Sequence, residues 1–187
     1  MAIFTLLDMD TGFDKHSITD HFCPISKGGL EPSNINQPKI LKDPNFLIYI
    51  EDYITKNKKI PDYVIIPIRD FKESAKSRYN NSVRSGVFIE SIDSVFLDKY
   101  SHGNGGLWNA RDINEQVEFY NKCFAKYIRT MVEYDLKTIF LDFEKMTMSH
   151  IYLYDSLKHL LPKDITLDIF LEVWTEATKI CKTKFIR

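Results

Sequence analysis

The stretch Asp62 to Ser77, DYVIIPIRDFKESAKS, constrains this chain more than any other. Tyr63, Val64, Ile65, Ile66 and Ile68 form a short apolar, largely β-branched run, the pattern of a buried strand. The run ends in Arg69-Asp70, after which the spacing turns helical. Asp70 is placed to cap the new helix, and Glu73, three residues on, to complete a capping box. A strand therefore delivers an arginine to the mouth of a helix whose first N–H groups are free. Fixed positive charge, open amide donors and a favourable helix dipole together make a seat for an anion. Ser77, two helical turns further on, adds a hydroxyl donor. The alternative is that the corner is purely structural.

The remaining pattern is read as strands and helices in alternation. Ala2–Leu7 is either an edge strand or the end of a helix, and it runs into Asp8, Asp10 and Gly12. Residues 14–45, rich in Pro, Gly, Asn and Ser, read as a long loop with at most a helical turn. Lys27-Gly28-Gly29, within it, reads as a turn rather than a phosphate cradle. Pro44–Lys56 reads as a helix, with Phe46, Leu47, Ile50 and Ile54 on one side. The helix after the organising strand runs from about Phe71 to Arg84. It is polar, with Tyr79 and Val83 as its few apolar positions, and its plainest reading is a solvated face. Residues 85–110 read as irregular. They include His102 and Trp108, and their glycines match neither a Walker A pattern nor GxGxxG.

Asp112–Glu133 is the clearest helix. Asp112 and Glu115 suggest a capping box, and Ile113, Val117, Tyr120, Phe124, Tyr127, Ile128 and Met131 recur at helical spacing. A second strand follows at Thr138–Leu141, then helices at Ser149–Leu161, closed by Pro162, and at Asp168–Cys181 with Ile169, Val173, Trp174 and Ala177 in register. Strands separated by helices imply crossover connections, and hence an α/β fold with a parallel sheet flanked by helices. Residues 1–187 are expected to form one domain, a length that supports a full core.

Composition narrows the function classes. A formal charge of −1 argues against general nucleic-acid binding. No apolar run approaches the ~20 residues of a membrane span, and MAIFTLLDMD lacks the features of a signal peptide. Cys23, Cys123 and Cys181 are far apart and odd in number, which suggests free packing thiols and a cytoplasmic location. No metal site is expected.

Arg69 at a strand end with Ser77 eight residues on resembles the 3′-phosphate-binding motif of sulfotransferases. The stretch Thr138–Met146, TIFLDFEKM, with the following helix ending in His-Leu-Leu, is similar to that family's strand, its Phe/Tyr-Glu-Asp turn and the helix after it. The resemblance covers about residues 60 to 161, with Asp112–Glu133 in the place of the family's long helix. It implies a P-loop NTPase-like fold and the use of 3′-phosphoadenosine 5′-phosphosulfate as sulfate donor. It also implies that Arg69 and Ser77 hold the nucleotide's 3′-phosphate, that Phe143 lies near the adenine, and that Asp142 and Glu144 are structural. The family's glycine-rich 5′-phosphosulfate loop is not visible. Thr5–Gly12, TLLDMDTG, looks more like the helix that follows such a loop, so an N-terminally incomplete fold is expected. The family's C-terminal basic glycine motif is not visible either, which leaves Lys179, Lys182, Lys184 and Arg187 as a basic tail.

The first expectation is thus a sulfotransferase-like protein that binds a small-molecule nucleotide, with an acceptor left unspecified. His16, His21, His102 and Glu144 are candidate bases by residue type alone. Two alternatives stand beside it. One is a P-loop-fold nucleotide kinase relative, for which Asp142 is the position resembling a Mg²⁺ carboxylate. The other is a non-catalytic interaction protein that kept the fold and self-associates.

Overall fold

The computed structural model describes residues 1–21, 30, 38–85, 107 and 110–183. Cys23, Lys27 to Gly29, His102, Trp108, Lys184 and Arg187, with the apolar positions between 88 and 97, lie outside the described residues. The chain forms two compact units, one of residues 44–146 and one of 1–43 with 147–187.

The 44–146 unit is mixed α/β. Helix α2 (Phe46–Asn57) ends where Lys58 turns left-handed at φ 49°, and Pro61 follows. Strand β1 (Val64–Ile68) leads through Arg69-Asp70 into α3 (Phe71–Ser85). Helix α4 (Ile113–Glu133) then delivers the chain to strand β2 (Thr138–Asp142). Among the described residues the sheet has these two strands, parallel and in register, with Val64 opposite Thr138, Ile66 opposite Phe140 and Ile68 opposite Asp142. Parallel strands need such long crossovers because the chain, having left one end of the sheet, must return to the opposite end before the next strand can run the same way. Pro67, which has no N–H to give, is tolerated at the edge of a sheet.

The core lies where α2 and α4 meet the sheet. Ile50, Ile54, Val64, Ile66, Tyr127 and Leu136 are buried together. Tyr127 is fully enclosed, and its hydroxyl meets Thr138 Oγ1 at 2.6 Å, tying α4 to the start of β2. Ile128, expected on the apolar stripe of α4, is instead exposed, since a 21-residue helix with an apolar arc wider than its partner leaves the margin in solvent.

Both helix starts expected from the sequence are present, with altered partners. Asp112 Oδ1 accepts from the N–H groups of Asn114 and Glu115 at 2.8 and 3.0 Å. The Glu115 carboxylate does not return to Asp112. It accepts from the backbone N–H and the guanidinium of Arg111, which hold it below the usual carboxylate range. Replacing Asp112 by alanine should destabilise the protein by about 1 kcal/mol in urea unfolding, while asparagine should be near neutral.

Helix α3 departs most from expectation. Tyr79 and Val83, its apolar positions, face solvent, and the helix packs through Ala75 and Ser82, both fully buried, with Asn81 nearly so. Small side chains thus fill the buried positions along α3, while Phe71 at its start supplies the aromatic contact to α4.

The other unit is helical among the described residues. Helix α1 (Ala2–Leu6) resolves the strand-or-helix alternative at the start of the chain in favour of helix. A short 3₁₀ turn covers Ile18–His21, within the expected long loop. Beyond β2 the chain enters α5 (Phe143–Met148) and then α6 (His150–Leu157), which Ser149 caps through the N–H of Tyr152. The single helix expected over Ser149–Leu161 is therefore shorter, and α5 is an additional element. Helix α7 (Leu167–Thr183) runs antiparallel to α6, with ring contacts His150–Trp174 at 5.7 Å and Tyr154–Phe170 at 5.4 Å. Phe170 and Ala177 of α7 are buried, the latter as its spacing implied, whereas Ile169 is exposed. Gly12 has φ 75°, and a Cβ there would stand 3.3 Å from Pro38, so this turn requires glycine. No helix among the described residues is long and apolar enough to cross a membrane.

Candidate functional site

The carboxyl ends of β1 and β2 carry the residues singled out by the sequence. In open α/β sheets this edge is where ligands bind, because the strands stop and helix N-termini begin there. The in-register pairing of Ile68 with Asp142 makes Arg69 and Phe143 the next residues on each strand. They meet: the Arg69 guanidinium lies over the Phe143 ring, 5.3 Å from its centroid. Arg69 is exposed and Phe143 half-buried.

Two aspartates adjoin this arginine, yet neither pairs with it. Asp70 Oδ1 accepts from the N–H of Glu73 at 2.8 Å and so caps α3. Asp142 Oδ1 accepts from the N–H of Lys145 at 2.9 Å and caps α5, with the Lys145 ammonium 3.7 Å from its other oxygen. The Glu73 side chain, expected to close the box on Asp70, instead pairs with Lys76 at 2.7 Å. Among the described residues the Arg69 side chain has no hydrogen-bond or ion-pair partner, only the ring. Its fork of N–H donors is open to solvent.

Ser77 is exposed on α3, roughly 10 Å along the axis from Asp70 and nearly in line with it, since seven residues fall just short of two turns. Its hydroxyl also makes no hydrogen bond among the described residues, and none joins it to Arg69. The strand and cap therefore bring Arg69 and Phe143 together and leave Ser77 further down the same side of α3.

The mouth of α3 is held by residues that the sequence reading did not assign to the corner. Phe71, directly after the cap, packs its ring against Tyr120 and Phe124 of α4, both at 5.6 Å, and Phe124 in turn meets Phe140 of β2 at 6.1 Å. Two turns on, Arg78 lies 6.0 Å over the Tyr120 ring. Desolvation lowers the Arg78 pKa, and burial raises that of Tyr120 against the opposing pull of Arg78. At the far end, the buried Ser82 hydroxyl accepts from the N–H of Leu107 at 2.8 Å. The signal for this clamp was the aromatic at the first helical position, which has no reason to be there on a solvated helix.

Glu144 is exposed on α5. The His21 ring packs, tilted by 60°, against Phe13 at 4.9 Å in the helical unit, where His16 also lies. Cys123 is a free thiol on α4 whose pKa is raised by burial, which suits packing rather than reactivity. A cleft of about 220 Å³ is lined by Glu51, Lys126, Arg129, Thr130 and Glu133. It involves the last turns of α4, which lead to the amino end of β2, so it lies away from Arg69. Lys126 and Glu51 pair across it at 3.4 Å, and its mixed charge selects no anion.

Comparison with protein families, curated proteins and solved structures finds no match for this chain.

Proposed function

We propose that this protein binds a 3′-phosphorylated adenosine nucleotide in the manner of sulfotransferases. The ligand would be 3′-phosphoadenosine 5′-phosphosulfate or adenosine 3′,5′-bisphosphate, in a cytoplasmic setting. Arg69 takes the 3′-phosphate through its planar fork, with the first amides of α3 as further donors, while Ser77, nearly two turns down the helix, stands too far along to join the same phosphate as those amides. Where the donor sulfate is bound, the reaction is transfer of a sulfuryl group to an acceptor.

The observation that carries this reading is the Arg69 guanidinium, which among the described residues has no ion-pair partner at the carboxyl end of a parallel strand although two aspartates stand beside it. A surface arginine kept only for solubility or stability has no need for neighbours whose charges are committed elsewhere. The kinase-relative reading has less support, because Asp142, its metal carboxylate, is occupied as a helix cap with Lys145 close by.

Isothermal titration of the full chain tests the proposal. Adenosine 3′,5′-bisphosphate should bind with one-to-one stoichiometry and at least about tenfold more tightly than adenosine 5′-monophosphate, which lacks the 3′-phosphate, as expected for a charge-assisted contact. Equal affinities, or no binding, would overturn it, and magnesium-dependent ATP binding would favour the kinase relative. Asp70→Asn keeps a good cap and removes a negative charge near the phosphate. It should leave stability unchanged and tighten bisphosphate binding roughly two- to threefold at low salt.

A further inference from the structure

We infer that Phe143 is a positioning residue for Arg69 and not itself a contact to the base. The inference rests on the reading of Arg69 as the phosphate ligand. Arg69 is exposed, and an exposed arginine on a strand end samples many rotamers unless something holds it. Among the described residues the Phe143 ring is what holds it, at 5.3 Å. A guanidinium held over an aromatic face leaves its N–H donors available for a further ligand. A carboxylate partner would hold the side chain too, but would consume the donors that a phosphate needs.

The arrangement follows from three independent features. Register places Phe143 one step beyond Asp142, opposite Arg69. Capping commits both neighbouring aspartates to backbone N–H groups, at 2.8 and 2.9 Å. Phe143 is half-buried at the first position of α5, so its ring is itself fixed. One face of the ring is thus covered by Arg69, and the ring acts on a ligand through the arginine.

Two measurements test this. In the ligand-free protein, the Arg69 side-chain Nε–H resonance should be displaced upfield by the Phe143 ring current. The displacement should vanish in Phe143→Leu and persist in Phe143→Tyr, with circular dichroism checking that each variant is folded. An Arg69 signal at its ordinary position in the wild type, or unmoved by Phe143→Leu, overturns the inference whether or not any nucleotide binds. In titrations, Phe143→Leu should weaken inorganic phosphate and adenosine 3′,5′-bisphosphate by the same factor, roughly two- to fivefold for an exposed cation–π contact. It should add nothing in an Arg69→Ala background. A loss confined to the adenosine ligand would overturn the inference in favour of a direct base contact. Failure of the wild type to bind any nucleotide would sink the proposed function instead, and the resonance would still decide the role of Phe143.

Discussion

Tyr127→Ala is expected to destabilise the protein by about 3–5 kcal/mol, the usual cost of deleting a large buried ring whose cavity does not collapse. Tyr127 is fully enclosed among residues of α2, β1 and α4, so its removal opens the centre of the core that supports both strands. Urea unfolding followed by circular dichroism should show the midpoint falling steeply. Tyr127→Phe separates packing from the hydroxyl. It should cost only about 1 kcal/mol, because Thr138 Oγ1 retains the Leu136 carbonyl at 3.3 Å as an acceptor. Similar losses for the two variants would mean that the Tyr127–Thr138 hydrogen bond, and not the ring, holds α4 to β2.

Arg69→Ala should do the reverse. It is expected to weaken adenosine 3′,5′-bisphosphate binding by about 1.5–3 kcal/mol, roughly 10- to 100-fold, as charged hydrogen bonds to phosphate are lost. Stability should stay within about 0.5 kcal/mol, because the side chain is exposed and makes no ion pair among the described residues. Binding by calorimetry and unfolding in urea, done on the same preparation, check both halves. A variant that loses stability but keeps its affinity would mark Arg69 as a structural residue and remove the basis of the proposed site.

The elements with strong periodicity were readable from the chain. Asp112–Glu133, the strand before Arg69 and the strand before Phe143 all appear within a residue or two, because the helix repeats its apolar positions over many turns and the strands are short apolar runs too brief for a helix. The caps were readable as to which residue ends which helix, since Asp70 and Asp112 bond their own helices. Their reciprocal partners were not. Glu73 and Glu115 are long, exposed side chains with several donors in reach, and Lys76 and Arg111 compete successfully. The packing of α3 escaped the sequence for a different reason. Its polar composition pointed to a solvated face, but Ala75 and Ser82 are fully buried, and their small size matters only once a neighbour is present.

For the candidate site, the local sequence determined the junction itself: a strand, an arginine, a capping aspartate and a helix, all within a dozen residues. Those choices depend on backbone propensities and short-range hydrogen bonds, which need no knowledge of the rest of the chain. What only the tertiary structure decided is that Phe143 stands opposite Arg69 and that Phe71 locks the corner to α4. Each depends on the register between two strands far apart in sequence or on the packing of one helix against another, and neither is encoded in any single segment.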